Sequence, residues 1–394
     1  MHQSRPDLPD ALIASVTETL ARWLPSGDAA LAPHGWGRDE WLAAEWIVYW
    51  QNALPWLHDR AAHSGLPIPE SLASLAALSR ERTQRMLDAS AELIAALRAE
   101  GIEAMPFKGA LLAPLYYPDP ALRPLADLDL LVHETDVPAG VAVLERLGYR
   151  YYSRSDEDVV YLRGERQSNI WHPDNVYPVE MHFRLCEVYA GLAYDLTGAM
   201  WASAETRTYW NGTETPISSR PILLHHLCAH TTSDLLIRRA KLMEIGDIQI
   251  VASRMGEADW RAFLDSIPAS GARFVDPALA VTQRYAPDTI PESVRVALRA
   301  HLPPRLCEWS DTVTLAAASE SNPKLRSGIG LGMACLLARS RGEQFGMWLR
   351  SLFPRRWNLM KRYPRLAASP FYPLCYILIN LDRAWHFART RLAR

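Results

Sequence analysis

The sequence lacks closely spaced cysteines. Its five cysteines lie at least 28 residues apart, and no two of them form a CxxC pair. A zinc ribbon needs such pairs, and a disulfide framework is typical of much shorter secreted chains. We therefore expect five reduced thiols in structural roles, including Cys186.

Long apolar runs and a secretory leader are also missing. The longest apolar stretches, 329–338 and 371–379, are shorter than the roughly 20 residues that span a bilayer, and the second contains Pro373. The first ten residues contain two acids, Asp7 and Asp10, and lack the basic segment followed by an apolar segment of a signal peptide. These features predict a soluble, cytoplasmic protein without a transmembrane segment.

The chain has little net charge. Its 42 Lys and Arg residues against 44 Asp and Glu residues give −2, which argues against coating of nucleic acid driven by net charge. The last forty residues differ, since 355–394 contain nine Lys or Arg and one acid, Asp382. This part of the chain is therefore near +8, and the remainder is near −10.

The periodicity of apolar residues divides the chain into four parts. Residues 1–100 are predicted to be helical, with a long amphipathic helix from Glu70 to Glu100 that ends at Gly101. Strands then alternate with helices over 101–220, which indicates a small mixed sheet. The helical period returns over 221–354, including a helix from Gly328 to Arg350, and a basic, aromatic tail covers 355–394. The fold class predicted is α/β (α+β).

The segment Leu125–Val132 predicts a buried strand with acids at alternate positions. Asp127 and Asp129 would lie on one side of this strand, because residues two apart project to the same face. Two ionised carboxylates in an apolar setting need a compensating cation, and a hard divalent metal supplies it. A DxD pair alone is also found on exposed surfaces.

Two basic positions precede this strand. Lys108 and Gly109 are predicted at a strand-to-helix turn, where glycine would let phosphate oxygens approach the backbone and the helix start favours anions. Arg123, four residues before Asp127, could bind the same phosphates with two parallel hydrogen bonds.

Downstream, Val179–Phe183 alternates again and places Glu180 and His182 on one face. A third carboxylate would complete a site for two Mg²⁺ ions.

The order of these motifs resembles a known family. The run FKGALLAPLYYPDPALRPLADLDLLV, a helix into LGY, and later VEMHFRL are similar to a family of bacterial nucleotidyltransferase-like proteins in the DNA polymerase β superfamily. The resemblance covers roughly residues 75–363 and is densest over 107–184. It implies that 101–220 form a nucleotidyltransferase core and that 221–354 form a helical domain.

The resemblance also implies roles for the motif residues. Asp127 and Asp129 would hold Mg²⁺ or Mn²⁺ and the nucleotide triphosphate, expected to be ATP. Glu180 would bind the second metal ion and could act as base on the acceptor hydroxyl, with His182 beside it. Lys108 and Gly109 stand where the superfamily more usually has a Gly-Ser pair, which leaves the mode of triphosphate binding open.

The helical half offers weaker candidates. His225, His226 and His230 contain an i, i+4 pair, but no HExxH glutamate accompanies them, so hydrogen-bonded core histidines are the preferred interpretation over a zinc site. Lys241 and Asp247 lie on the next predicted helix. Lysines on this helix lie near the phosphates in related nucleotidyltransferases, which makes Lys241 a candidate nucleotide ligand.

The predicted function is a metal-dependent nucleotidyltransferase that moves NMP from an NTP to an acceptor hydroxyl and releases pyrophosphate. The acceptor could be a small molecule, a peptide, a protein or an RNA end. Two alternatives stay open: a catalytically inactive nucleotide- or partner-binding protein of the same fold, and a phosphotransferase that uses the same metals.

Two physical expectations follow from the motifs. Three crowded carboxylates should repel, so without metal at least one should titrate above its usual pKa of about 4, and Asp129→Asn should leave the fold intact or stabilise it. In the tail, an apolar face next to many arginines could contact an anionic membrane or an acidic partner. We favour packing of that face on the helical domain, because Trp385 and Phe387 continue the pattern of a docked terminal helix.

Overall fold

Helices that precede and follow the sheet region share one hydrophobic cluster. The computed structural model describes residues 5–189, 191–319, 332, 335–354, 359 and 363–392. The N-terminal helices are α1 (Asp10–Ser26), α2 (Arg38–Trp50), α3 (Leu54–His63) and α4 (Glu70–Ala99). After the sheet region come α8 (Arg220–Leu236), α9 (Leu242–Ala252), α10 (Glu257–Asp265), α11 (Ala272–Tyr285), α12 (Glu292–Arg299), α13 (Pro304–Thr312) and α14 (Leu315–Ala318).

Helix α4 connects this helical cluster to the sheet. Its first turns contribute Leu72 to the helical cluster, and its later turns contribute Met86, Leu93 and Leu97 to a second cluster under the sheet. The helix ends as predicted, since Gly101 adopts φ +77°, a left-handed conformation that favours glycine.

A five-stranded mixed sheet forms the centre of the α/β part. Its strands are β1 (Ala104–Pro106), β2 (Leu128–Val132), β3 (Arg150–Arg154), β4 (Asp158–Arg163) and β5 (Tyr177–His182). They are arranged in the order β1-β2-β5-β4-β3, with β2 and β5 parallel and the other neighbours antiparallel. The helices of this part are α5 (Lys108–Tyr116), α6 (Val137–Arg146) and α7 (Thr197–Ala202).

The two faces of the sheet differ in what covers them. Leu128 and Leu130 of β2 and Met181 of β5 belong to the cluster that α4 and α6 complete. Gly140 of α6 allows this contact, because a Cβ there would lie 2.8 Å from the Met181 sulfur. Side chains alternate along a strand, so Asp129 lies on the other face, away from α4 and α6.

The structure confirms the predicted α/β class, with a mixed sheet and flanking helices, and adds two hairpins. These are β6 (Cys186–Tyr189) with β7 (Leu192–Asp195), and β8 (Glu205–Thr208) with β9 (Glu214–Ile217). The second hairpin turns at Asn211 and Gly212, both with positive φ. An Asn-Gly pair is a hairpin signal that the sequence reading missed.

The C-terminal part corrects the expectation for the tail. Its helices are Arg341–Leu352, Pro364–Ala367 and Leu374–Leu392. Cys375 and Ile379 are buried with Leu359 and Ala367, but Ile377 and Leu381 are 57% and 62% exposed, so much of the apolar surface of the last helix stays uncovered. The side chain of Phe387 lies outside the described part of the chain. Most of 328–334, the first part of the predicted helix 328–350, lies outside the described residues, as do Arg355, Arg356, Lys361 and Arg362. The described part of that prediction is corrected, because the helix begins only at Arg341. Within those residues, no helix combines the length and apolarity that crossing a membrane requires.

Candidate active site

The pairing of β2 with β5 brings Asp129 and Glu180 side by side. The two strands are parallel, and their register places Asp129 opposite Glu180 and Leu131 opposite His182. Directly opposed residues project to the same face of a sheet, so acids separated by 51 residues in sequence become neighbours. The Asp129 side chain is 2% exposed and that of Glu180 is 29% exposed. Glu180 is therefore the acid that solvent reaches more readily.

His182 connects these two acids. Its Nε2 lies 3.1 Å from Asp129 Oδ1 and 3.4 Å from Glu180 Oε2. Burial lowers the pKa of His182, but the hydrogen bonds to Asp129 and Glu180 outweigh it and raise the pKa to about 9. The imidazole is therefore protonated at neutral pH and donates a hydrogen bond to Asp129.

Lys108 supplies a second cation from the turn between β1 and α5. Its Nζ donates to Asp129 Oδ1 at 3.1 Å. Burial lowers the pKa of Lys108, but the charges of Asp129, Asp127 and Glu180 raise it above its ordinary value. Lys108 has φ +47°, a left-handed conformation that costs a non-glycine residue about 1 kcal/mol or more. Strain of this kind at a turn directs the side chain toward the acids and is common at functional sites.

Asp127 and Asp129 have opposite electrostatic surroundings. The strand predicted over Leu125–Val132 begins at Leu128, so Asp127 lies directly before β2 and not within it. Burial and then the charges of Asp129 and Glu180 raise the pKa of Asp127 to about 6. Burial also raises the pKa of Asp129, but Lys108 and His182 outweigh it and hold that pKa well below its usual range. The expectation that one of the crowded carboxyls titrates above about 4 is confirmed, and the group is Asp127.

Gly109 and Arg123 have packing roles in this structure. A Cβ on Gly109 would lie 2.9 Å from Leu125 Cδ2 and 3.0 Å from Arg123 Nη1, so the glycine makes room for the arginine. Arg123 donates from Nε and Nη2 to the carboxylate of Asp247 at 2.8 Å, and from Nη1 to the Pro124 carbonyl at 2.7 Å. These contacts join the loop before β2 to α9. Binding of phosphate by Gly109 and Arg123 stays a prediction.

Asp247 and Lys241 of the α9 region are placed differently. The Asp247 side chain is 3% exposed and accepts hydrogen bonds from Arg123 and from the Tyr117 hydroxyl, so its contacts are structural. Lys241 lies at the start of α9, and its charge lowers the pKa of Asp127. The positive charge of Lys241 therefore contributes to the electrostatic surroundings of Asp127. Its role toward a nucleotide stays a prediction.

The histidines of α8 are hydrogen-bonded core residues where their contacts are defined. His225 lies between the Tyr194 hydroxyl at 2.6 Å and Ser266 Oγ at 3.0 Å, and burial lowers its pKa to about 4. His230 Nδ1 lies 2.8 Å from Glu187 Oε1 of β6. The ring of His226 packs edge-on against Phe107, the residue before Lys108. His225 is thus a hydrogen-bonded core residue as predicted, and His230 is hydrogen-bonded to a carboxylate.

A second ionisable cluster was missed by sequence reasoning. His230, Asp234 and Glu244 each place a potential metal-ligating atom within 4.8 Å of the others. The i, i+4 spacing of His230 and Asp234 on α8 was visible, but their proximity to Glu244 depends on how α8 packs against α9. Burial and then the charge of Asp234 raise the pKa of Glu244 to about 8.

The first cluster has the composition of a cation site. Asp129, Glu180 and His182 also place ligating atoms within 4.8 Å of one another, and Asp127 lies beside them without belonging to this set. If all three acids are ionised, the charges of Lys108 and protonated His182 leave a net charge of −1. A divalent cation would find carboxylate oxygens and, after loss of the His182 proton, an imidazole nitrogen.

Comparison with known proteins identifies the family of this chain. Residues 38–287, more than half of the chain, match the family described as "Uncharacterised nucleotidyltransferase". No curated protein matches the chain. A solved structure, an antigenic nucleotidyltransferase-like protein from Paracoccidioides brasiliensis, is 17% identical, with a TM-score of 0.34, over 55% of this chain and 94% of that chain.

Proposed function

Because the chain belongs to this family of uncharacterised nucleotidyltransferases, we propose that it transfers a nucleoside monophosphate from an NTP to an acceptor hydroxyl and releases pyrophosphate. The observation that carries the proposal is the β2–β5 register, which sets Asp129 beside Glu180 with Lys108 on the same carboxylate. Phosphorus-group transfer needs this combination of acids for a metal and cations for phosphate oxygens.

Asp127, Asp129 and Glu180 would hold one or two divalent cations, with His182 as a further nitrogen donor. The clustering of ligating atoms from Asp129, Glu180 and His182 fits such an ion. When bound, the metal neutralises triphosphate charge and lowers the pKa of the acceptor hydroxyl. Asp127 must be ionised to contribute, which its pKa of about 6 allows at neutral pH.

Lys108 and Lys241 would orient the triphosphate. Lys108 lies at the start of α5, where backbone N–H groups also favour an anion, and its ammonium already reaches the buried carboxylate. Lys241 approaches the region of Asp127 from α9. Two lysines from different elements would therefore flank the phosphates and hold the α-phosphorus toward the acids.

Glu180 is the acid best placed to receive the acceptor proton. Its side chain is 29% exposed, and its contact with His182 at 3.4 Å is longer than the 3.1 Å contact of Asp129. A carboxylate that is accessible and only weakly engaged is available to accept a proton from a hydroxyl placed next to it. His182 would orient Glu180 through that contact.

The experiment measures transfer of label from α-³²P-labelled NTPs with Mg²⁺ or Mn²⁺ and a panel of acceptors. Released pyrophosphate supports nucleotidyl transfer, and released NDP indicates phosphoryl transfer. Asp129→Asn and Glu180→Gln should abolish transfer, while Asp265→Asn, an exposed acid on α10, should retain it. Nucleotide-dependent thermal stabilisation without turnover on any acceptor would instead support the inactive, nucleotide-binding alternative.

A further inference from the structure

The last two long helices expose apolar residues at matching positions. Of the 18 exposed large hydrophobic residues in the described part of the chain, 11 lie at or after Phe345. In the helix Arg341–Leu352 the exposed large hydrophobic residues are Phe345, Trp348, Leu349 and Leu352. In the helix Leu374–Leu392 they are Leu374, Ile377, Leu378, Leu381 and Trp385.

Both sets follow the spacing i, i+3, i+4, i+7. On an α-helix these positions lie within an arc of about 100°, so each helix has one continuous apolar stripe. The last helix buries Cys375 and Ile379, with Ala367 and Leu359, on a different side. Its packing is therefore already satisfied there, and the stripe is additional apolar surface of a kind that marks interaction sites.

The two helices form one unit that is attached to the rest of the protein. Asn380 Nδ2 donates to the Leu352 carbonyl at 2.9 Å, and the rings of Phe353 and Tyr376 are 5.4 Å apart. The first of the two helices is fixed to α11 by Arg273 and Glu343, which form two hydrogen bonds of 2.8 and 3.0 Å. The stripes are thus held at a defined place on the molecule.

The positive charge of this region indicates what kind of partner the apolar stripes contact. The segment 355–394 is near +8, so two copies meeting through their stripes would bring two strongly positive segments together. A nucleic acid would neutralise the arginines but would leave isoleucine and leucine side chains in water. An anionic lipid surface satisfies both features, because acyl chains receive the apolar stripe and headgroups attract the basic residues.

We propose that the two stripes dock this protein onto an anionic lipid bilayer. The helices lie in the interface plane, with the apolar side chains at the boundary between headgroups and acyl chains. Trp348 and Trp385 suit this level, since indole rings favour the membrane interface. Exposed Arg341, Arg350 and Arg365 add attraction to acidic headgroups.

The test is co-sedimentation of the full-length protein with vesicles of phosphatidylcholine alone or of phosphatidylcholine mixed with phosphatidylglycerol. We expect binding only to the anionic vesicles, weakening as salt is raised. Ile377→Glu with Leu381→Glu should weaken binding at least roughly tenfold, because two apolar contacts become charged. The matched control is Tyr152→Glu with Val296→Glu, which makes the same charge change at equally exposed apolar residues elsewhere and should bind like the wild type.

A second variant of the stripe distinguishes the loss of apolar surface from misfolding as the cause of weaker binding. Leu374→Gln with Leu378→Gln removes apolar surface without adding charge and should also weaken vesicle binding, with an unchanged melting temperature. The proposal is overturned if the wild type does not bind anionic vesicles, or if both stripe variants bind like the wild type. It is equally overturned if the stripes mediate a dimer in solution that the variants dissociate while vesicle binding is absent.

Discussion

Two buried clusters of histidine and carboxylate side chains differ in how their charges are compensated. At the β2–β5 site, the buried carboxylate of Asp129 has both Lys108 and His182 at 3.1 Å. In the α8–α9 cluster, His230 pairs with Glu187, and Glu244 is left beside Asp234. The pKa of Asp129 is therefore lowered, whereas that of Glu244 is raised to about 8. Similar residue types thus give an ionised acid in one cluster and a protonated acid in the other.

The comparison shows that cations in direct contact can outweigh the effect of burial on a carboxyl pKa. Burial raises the pKa of both Asp129 and Glu244, yet only Asp129 has two cations in contact. The charge of His230 acts mainly on Glu187, whose pKa falls to about 2 against the effect of burial. Asp129 of the first cluster is therefore kept ionised, whereas the surroundings of Glu244 in the second cluster favour its protonated form.

The largest expected difference between the clusters is in activity. Asp129→Asn should reduce nucleotidyl transfer by roughly a thousandfold or more, because it removes a proposed metal ligand. Glu244→Gln, which keeps the size and the hydrogen-bond acceptor of a protonated acid, should change it by less than about tenfold. Transfer of labelled NMP by both variants under one set of conditions checks this. An equal loss in Glu244→Gln would place the α8–α9 cluster in the reacting site.

The next largest effect concerns the pH dependence of stability at Glu244. Its folded pKa of about 8 is above an unfolded value of about 4, so the native state binds the proton more tightly. Wild-type stability should therefore fall as pH rises from about 4 through 8, and Glu244→Gln should not show this loss. Above pH 8 the variant should be more stable by about 5 kcal/mol. Denaturant unfolding at pH 5, 7 and 9 measures the difference, and parallel curves for both proteins would contradict it.

Asp129→Asn should destabilise the metal-free protein, which reverses the expectation drawn from the sequence. The substitution leaves the cations of Lys108 and His182 without their shared partner, and breaking a buried pair of this kind costs about 3 kcal/mol. Glu180→Gln serves as the control, because its partly exposed side chain loses a longer contact to His182. Denaturant unfolding in a chelator compares the two variants, and equal stability of Asp129→Asn and wild type would show that the pairing contributes little.

In the metal-free protein, Asp127→Asn should change stability in the opposite direction. The folded pKa of Asp127 is about 6 against an unfolded value of about 4, so its ionisation destabilises the metal-free protein as pH rises through this window. The variant should match the wild type in stability near pH 4 and exceed it by about 3 kcal/mol above pH 6. Melting curves in a chelator across pH 4–8 test this, and added Mn²⁺ should stabilise the wild type more than Asp127→Asn.

Local signals in the sequence predicted several of the helices and strands of the α/β part. The long helix that ends at Gly101 was predicted close to its observed bounds, whereas the strand predicted over Leu125–Val132 begins only at Leu128. Strand periodicity and glycine stops act over a few residues, so they can be read without knowing the partners. The β8–β9 hairpin escaped prediction because its strands are short and largely exposed, although Asn211 and Gly212 mark its turn.

The sequence by itself determined which chemical groups this protein can use: Lys108 at a turn, alternating acids at 127 and 129, and Glu180 with His182 on a later strand. Tertiary structure alone decided their relations. Strand register brought Glu180 to Asp129, while helix packing joined Arg123 to Asp247 and His230 to Glu187. It also left the stripe of the last helix exposed. The physical reason is that pairing and burial depend on residues distant in sequence, whose positions follow only from the folded chain.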